Sequence, residues 1–265
     1  MLRFTLLLLL ILLSLFAFKW HNFSAQQLTD FLYFQDFENM DLNQNWFKPE
    51  LLVQGSTEKL EHGKIIKHTY IPSKTGTPYI GKRFKLDSSV SEATLSFDMK
   101  LDREFEFVKG GKMHGLAGGT ATTGCRAIDP NGWSVRMMWR RNGQPVLYLY
   151  HQDRKERCGD NVVDLSGFTF VKNTWYNIAL YVKLNSEIGS SDGIAALFIN
   201  GNKLIERNNL NFAGNMKSKI DYFLYNSFYG GNDPSWSPST DTFVYYDNFK
   251  VSRGLLLSEQ FSSDQ

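Results

Sequence analysis

The stretch from Trp133 to Tyr150 constrains this chain more than any other. It reads Trp-Ser-Val-Arg-Met-Met-Trp-Arg-Arg-Asn-Gly-Gln-Pro-Val-Leu-Tyr-Leu-Tyr, two alternating strands around a tight turn. Val135, Met137 and Trp139 fall on one face with Leu147 and Leu149. The other face carries Ser134, Arg136, Tyr148 and Tyr150. A hydroxyl, a guanidinium and two phenols make a poor solvent face and a good site for an anionic sugar.

Register decides whether those four polar residues meet. A two-residue loop at Asn142-Gly143 sets position 136 opposite 149 and splits the quartet between the two faces of the sheet. A three-residue loop, Arg141-Asn142-Gly143 with Gly143 left-handed as a bulge, sets Arg136 opposite Tyr148 and Ser134 opposite Tyr150. Only the second register keeps core and solvent faces apart, so it is the one expected.

The rest of the chain is consistent with an all-β protein. Short alternating or apolar runs, separated by turn residues, predict strands at 32–37, 64–71, 93–101, 134–140, 146–151, 175–184, 194–200, 203–206, 221–228 and 242–252. Asn200-Gly201 is a second hairpin turn. That number of strands predicts a two-sheet β-sandwich, a lectin-like jelly roll, with the closing strand paired to the early Phe31-Leu32-Tyr33-Phe34. With 265 residues, 42% apolar and 15% aromatic, the chain can fill one large core. Neither a repeat nor a linker divides it; 187–193 and 208–219 read as surface loops. The domain is expected to span residues 26–254, with a flexible tail over 255–265.

Residues 1–25 read as a targeting segment. Arg3 supplies a positive charge, and Phe4 to Phe18 is apolar apart from Thr5 and Ser14. The run is short against the roughly 20 residues that span a bilayer. A signal peptide cleaved near Ala17 or Ala25 is expected, and a secreted protein with it; an uncleaved membrane anchor is the alternative. Asn22-Phe23-Ser24 is a glycosylation sequon only if it survives cleavage. In an oxidising compartment the two cysteines, Cys125 and Cys158, are expected to form a disulfide. The bond would clamp the segments flanking the hairpin, and closing such a loop contributes about 3 to 4 kcal/mol in the chain-entropy model.

A net charge of +2 gives no global attraction for nucleic acid, so any polyanion must be met by local clusters such as Lys109, Lys112, Arg136, Arg140 and Arg141. Two of these lysines lie in Phe107-Val-Lys-Gly-Gly-Lys-Met-His-Gly-Leu-Ala-Gly-Gly119. No Gly-Lys-Ser/Thr ending and no following helix is present, which excludes a phosphate loop. The block reads either as a glycine-rich bend that brings backbone and Lys112 to a ligand, or as a solvated loop.

Lys-Gly-Gly-Lys at 109–112, Gly-Leu and Gly-Gly behind it, Ser-x-Arg-x-Met-Trp-Arg at 134–140 and Tyr-x-Tyr at 148–150 together resemble polysaccharide lyase family 14, the alginate and related polyuronate lyases. Phe228-Tyr-Gly-Gly-Asn-Asp233, with Trp236 beyond it, supports the likeness. The resemblance implies a β-jelly roll with catalytic Lys112, Ser134, Arg136, Tyr148 and Tyr150 in a cleft on one sheet, and Lys109, His114, Arg140, Asn232 and Trp236 as substrate-binding residues. One departure stands out. Relatives commonly read Lys-Leu-Pro-Gly where this chain has Lys112-Met113-His114-Gly115, which would set a titratable group beside the site.

The chemistry implied is β-elimination at a 4-linked uronate, alginate first. A cation must neutralise the uronate carboxylate before C5 gives up its proton, and Arg136 can bind it in two places. Lys112 or one tyrosine is the base, the other tyrosine the acid for O4, with Lys112 alternatively a carboxylate neutraliser beside a proton-transferring tyrosine pair, and Ser134 an orienting donor. Glu104 and Glu106 read as a solvated strand face rather than a hydrolase pair. His62, His68, His114 and His151 show no metal-ligand spacing and read as surface or supporting residues. Among the tryptophans Trp236 is the best sugar platform, while Trp46, Trp133, Trp139 and Trp175 fit a core. Neither a cofactor nor a metal is expected, and the partner is an anionic polysaccharide acted on by a monomer. A glucuronan lyase and a non-catalytic lectin-like binder are the alternatives.

Overall fold

Fourteen strands follow one another in a computed structural model that describes residues 31–38, 55–60, 63–215 and 218–257. They are β1 (Phe31–Gln35), β2 (Gly55–Leu60), β3 (Gly63–Tyr70), β4 (Ile80–Val90), β5 (Glu92–Leu101), β6 (Gly110–Gly119) and β7 (Gly132–Arg140). After the hairpin turn come β8 (Pro145–Tyr150), β9 (Asp160–Val163), β10 (Trp175–Lys183), β11 (Gly193–Ile199), β12 (Asn202–Leu210), β13 (Ile220–Tyr229) and β14 (Thr242–Arg253). One sheet runs β12-β11-β10-β5-β14-β3-β2, with β1 also on β14; the other runs β4-β13-β6-β7-β8-β9. The two antiparallel sheets form the expected jelly-roll sandwich. The leader, its sequon, Trp46, His62 and the last eight residues lie outside the described residues.

Alternation builds the core. Phe97 and Met99 of β5 and Ile178 and Leu180 of β10 face Val135 and Met137 of β7 and Leu147 and Leu149 of β8, all within 1% of complete burial. Each such side chain contributes roughly 1.5–3 kcal/mol. The β7–β8 hairpin has the three-residue register: Ser134 opposes Tyr150, Arg136 opposes Tyr148 and Met137 opposes Leu147. The turn at Arg141–Gly143 closes with the Arg140 N–H donating to the Gln144 carbonyl at 2.8 Å. Both Asn142 (φ 59°) and Gly143 (φ 80°) are left-handed there, where only the glycine was expected to be. Asn200-Gly201 turns β11 into β12 as read.

The glycine-rich block is neither bend nor loop; most of it is β6, paired on both sides by β13 and β7. Its glycines answer to neighbours on other strands. A Cβ on Gly111 would lie 2.0 Å from Trp139 Cη2, and one on Gly115 would lie 2.0 Å from the Val135 carbonyl oxygen. Strands β2, β4 and β9 also escape the sequence pattern. In β4 only Ile80, Leu86 and Val90 are buried along an otherwise charged edge. Conversely, Glu104 and Glu106 follow the end of β5 and stand on no strand.

His114 is a correction. The β6–β7 register slips between Lys112 and Gly115, so Met113 and His114 together oppose Met137. This bulge turns both side chains inward. His114 sits between the sheets with no exposure, its ring 4.4 Å from that of Tyr225 and 4.5 Å from that of Tyr246. Its Nδ1 accepts the Asn226 N–H at 3.2 Å. His68, hydrogen-bonded to the Tyr225 hydroxyl, and His151, bonded to Asp160 at 2.9 Å, are also buried rather than superficial.

Candidate active site

The side chains of β6, β7, β8 and β13 that point away from the core line a cleft of about 810 Å³. Its floor is Lys112, Arg136, Met138, Tyr148, Tyr150, Asn226 and Phe228, and its walls come from residues 123–125, 156–159 and 230–232. Tyr79, Arg140, Asn161 and Trp236 complete the lining.

Arg136 holds the centre. Only 3% of it is exposed; one terminal nitrogen donates to Asn226 Oδ1 at 3.3 Å, and Nε has no protein partner. The guanidinium carbon lies 5.5 Å from the Tyr148 ring centroid and 5.9 Å from that of Tyr150. Among the described residues no carboxylate forms an ion pair with Arg136, Lys112 or Arg140. Burial lowers the Arg136 pKa, yet a guanidinium remains charged at any physiological pH. A buried, unbalanced cation is costly until an anion reaches it.

Lys112 stands opposite Met138 on β7. Its Nζ lies 5.8 Å from the Tyr148 ring centroid and 5.7 Å from that of Phe228. Burial, then the charges of Arg136 and Arg140, lower its pKa to about 8. Gly230 makes room for the ammonium, since a Cβ there would lie 2.2 Å from Nζ.

The phenols stand edge to face, ring centroids 5.4 Å apart, with their oxygens 3.4 Å apart. Their outer hydrogen bonds have opposite polarity. Tyr150 accepts the Cys125 N–H at 2.9 Å, whereas Tyr148 donates to the Cys158 carbonyl. Burial, followed by the bond to Tyr150, raises the Tyr148 pKa well above the usual phenol value. Cys125 and Cys158 are joined as the sequence predicts.

Ser134 lies on the expected face but not in the cleft. It is fully buried, its hydroxyl donating to the Thr122 carbonyl at 2.7 Å, which ties the loop before β7 to the strand. His114, being inside the core, does not line the cleft either. Lys109 stands at the cleft's end, 5.6 Å from the Trp236 ring, bonded to Ser235 and 4.0 Å from Asp233. Trp236, in the turn Pro234–Trp236, and exposed Asn232 line that end, and Arg140 bonds Asn161 on the opposite rim.

Two site residues escaped the sequence reading. Asn226 accepts from Arg136 and donates to the Tyr79 hydroxyl at 2.9 Å and to the Tyr225 carbonyl at 2.7 Å. An amide inside the apolar run Phe223-Leu-Tyr-Asn-Ser-Phe228 was a usable signal. Tyr79, before β4, offered none. Among the described residues no group of three His, Cys, Asp or Glu side chains is placed to hold a metal ion.

The two antiparallel sheets and the cleft on one of them define a jelly-roll protein whose cleft gathers Arg136, Lys112 and Arg140, with no carboxylate paired to them among the described residues. The sequence matches the family described as Polysaccharide lyase 14 over residues 61–249, more than two-thirds of the chain. The chain belongs to this family and is a polysaccharide lyase. Comparison with curated proteins finds no match. Among solved structures, the alginate lyase of Aplysia kurodai aligns with TM-score 0.72 at 20% identity, covering 84% of this chain and 99% of its own. A doubly substituted alginate lyase Aly36B holding an alginate tetrasaccharide gives 0.71 at 21%, covering 85% and 98%. An endo-β-1,4-glucuronan lyase of Trichoderma reesei gives 0.56 at 18%, covering 83% and 94%. These likenesses concern the fold.

Proposed function

We propose that this lyase cleaves a 4-linked uronate polymer, alginate first, by β-elimination. The observation that carries the reading is Arg136: a buried guanidinium with no carboxylate paired to it among the described residues, flanked in one cleft by a lysine and two phenols. Arg136 takes the substrate carboxylate and stabilises the charge that develops when C5 loses its proton. Lys112 is the base, since its lowered pKa leaves a useful fraction as free amine near neutrality. The electron pair then moves into a C4–C5 double bond and the O4 bond breaks. Tyr150 supplies the proton to O4: the Tyr148 hydrogen goes to Cys158, and Tyr150, which accepts from Cys125, has its own hydrogen held only by the long 3.4 Å contact to the Tyr148 oxygen, from which it can turn to O4. Trp236, Lys109, Arg140 and Asn232 extend the cleft for neighbouring sugars. The apolar leader and the disulfide favour a secreted enzyme.

The likeness to a glucuronan lyase supports a second reading in which the polymer is glucuronan. Purified enzyme is mixed in turn with poly-mannuronate, poly-guluronate and glucuronan, and ultraviolet absorbance of the unsaturated uronate is followed. A rise with either alginate polymer is expected. A rise with glucuronan alone moves the assignment there, and new reducing ends without absorbance would refute elimination.

A further inference from the structure

The backbone groups that hold the two phenols belong to the two half-cystines. Cys125 lies in the loop between β6 and β7, and Cys158 in the loop between β8 and β9. Its N–H makes the first the donor to Tyr150, and its carbonyl makes the second the acceptor from Tyr148. Both residues line the cleft. The second loop rests on the rings themselves: a Cβ on Gly159 would lie 2.8 Å from Tyr150 Cε2 and 2.9 Å from Tyr148 Cζ.

The loops have other ties. Arg154 donates to the Arg126 carbonyl at 2.8 Å, and Gln152 donates to the Asp129 carbonyl at 3.0 Å. Ser134 holds Thr122 to β7. With the sulfur–sulfur bond open, these contacts keep both loops over the sheet, but nothing covalent sets the spacing of the two backbone groups that grip the phenols.

We propose that the Cys125–Cys158 disulfide is a positioning element for the tyrosine pair, fixing through its two flanking backbone groups where each phenolic proton points. The proposal rests on the reading of Tyr148 and Tyr150 as proton-transfer groups. Cleaving the bond frees those groups to shift while Lys112, Arg136 and Trp236, carried by β6, β7 and the 234–236 turn, stay in place. Turnover then falls and polymer affinity does not.

The test opens the disulfide of the folded enzyme with a water-soluble phosphine. The phosphine gives two electrons and becomes its oxide with the oxygen of one water, whose two protons end on the thiols. Elimination kinetics and tryptophan fluorescence are recorded before reduction, after it and after reoxidation. The expected result is a loss of kcat of about tenfold or more, KM within about twofold, unchanged fluorescence and recovery on reoxidation. The double variant Cys125→Ser/Cys158→Ser should match the reduced enzyme and ignore the phosphine. Val182→Ala, in the core of the other sheet, should lower Tm and leave kcat alone. Unchanged kcat on reduction, unfolding on reduction, a phosphine response in the double variant, or a kcat loss in Val182→Ala each overturns the proposal. An oxidised enzyme that fails to form unsaturated product would instead overturn the functional reading on which it rests.

Discussion

If Lys112 is the base, kcat/KM must follow its deprotonation. With a pKa of about 8, the free-amine fraction is about one-tenth at pH 7, half at pH 8 and nine-tenths at pH 9. An unperturbed lysine near 10.5 would be about 300-fold poorer in free amine at pH 7, so the burial of Lys112 first, and the charges of Arg136 and Arg140 after it, are part of the catalyst. Arg140 supplies some of that effect, through its charge on Lys112. Replacing it with glutamine removes a repulsion felt by the ammonium, so the Lys112 pKa rises and the ascending limb moves to higher pH. Its own loss from the rim lowers the plateau, which is read separately from the midpoint. The assay is initial elimination rate at subsaturating polymer from pH 6 to 10, at constant ionic strength because the cleft is cationic. A wild-type rate independent of pH over 6–9, or an Arg140→Gln midpoint that stays or moves to lower pH, would refute the reasoning.

Gly230→Ala places a methyl against Lys112 Nζ, displacing the end of a flexible side chain, and should lower kcat/KM by about tenfold with Tm little changed; full activity would show that turnover does not depend on the ammonium's place beside Gly230. Trp236→Ala should raise KM several-fold with kcat retained, as measured by saturation kinetics, if the ring is a platform. Burial also holds His68 near a pKa of about 3 and His114 well below 6.5. Both are neutral when folded, so their contribution to stability is complete above pH 6.5 and is lost as pH falls from there toward 3, about 2 kcal/mol at pH 5 for His68 alone. His114→Leu should therefore flatten the decline of denaturant-measured stability between pH 6.5 and 4, whatever it does to the absolute value; an unchanged slope would contradict a neutral, buried His114.

The part of the site carried by the β7–β8 hairpin was legible because two simple constraints meet there. Alternation sorts the side chains into faces, and the length of the Arg141–Gly143 turn decides which partners share one. Beyond the hairpin, local pattern fails where long-range contact decides. Strand β6 looks like a loop because its glycines depress strand propensity, and what demands them is Trp139 and the backbone of Val135 on the next strand. His114 is misread because a bulge, invisible in the residue pattern, reverses its face. Ser134 has the right face, but a loop that comes from before β7 covers it. Tyr79 joins Asn226 from 147 positions away, a meeting that only the closing of β4 on β13 creates.

The claim on which the rest depends is that Arg136 receives the carboxylate of the sugar being cleaved. It is tested most directly by the crystal structure of Lys112→Ala soaked with a mannuronate tetramer. The account expects one uronate carboxylate within hydrogen-bond distance of two Arg136 nitrogens, C5 of that sugar facing the space vacated at position 112, and its O4 near Tyr150. A bound sugar whose carboxylates all face Lys109 or Arg140, with Arg136 still bonded only to Asn226, would contradict it.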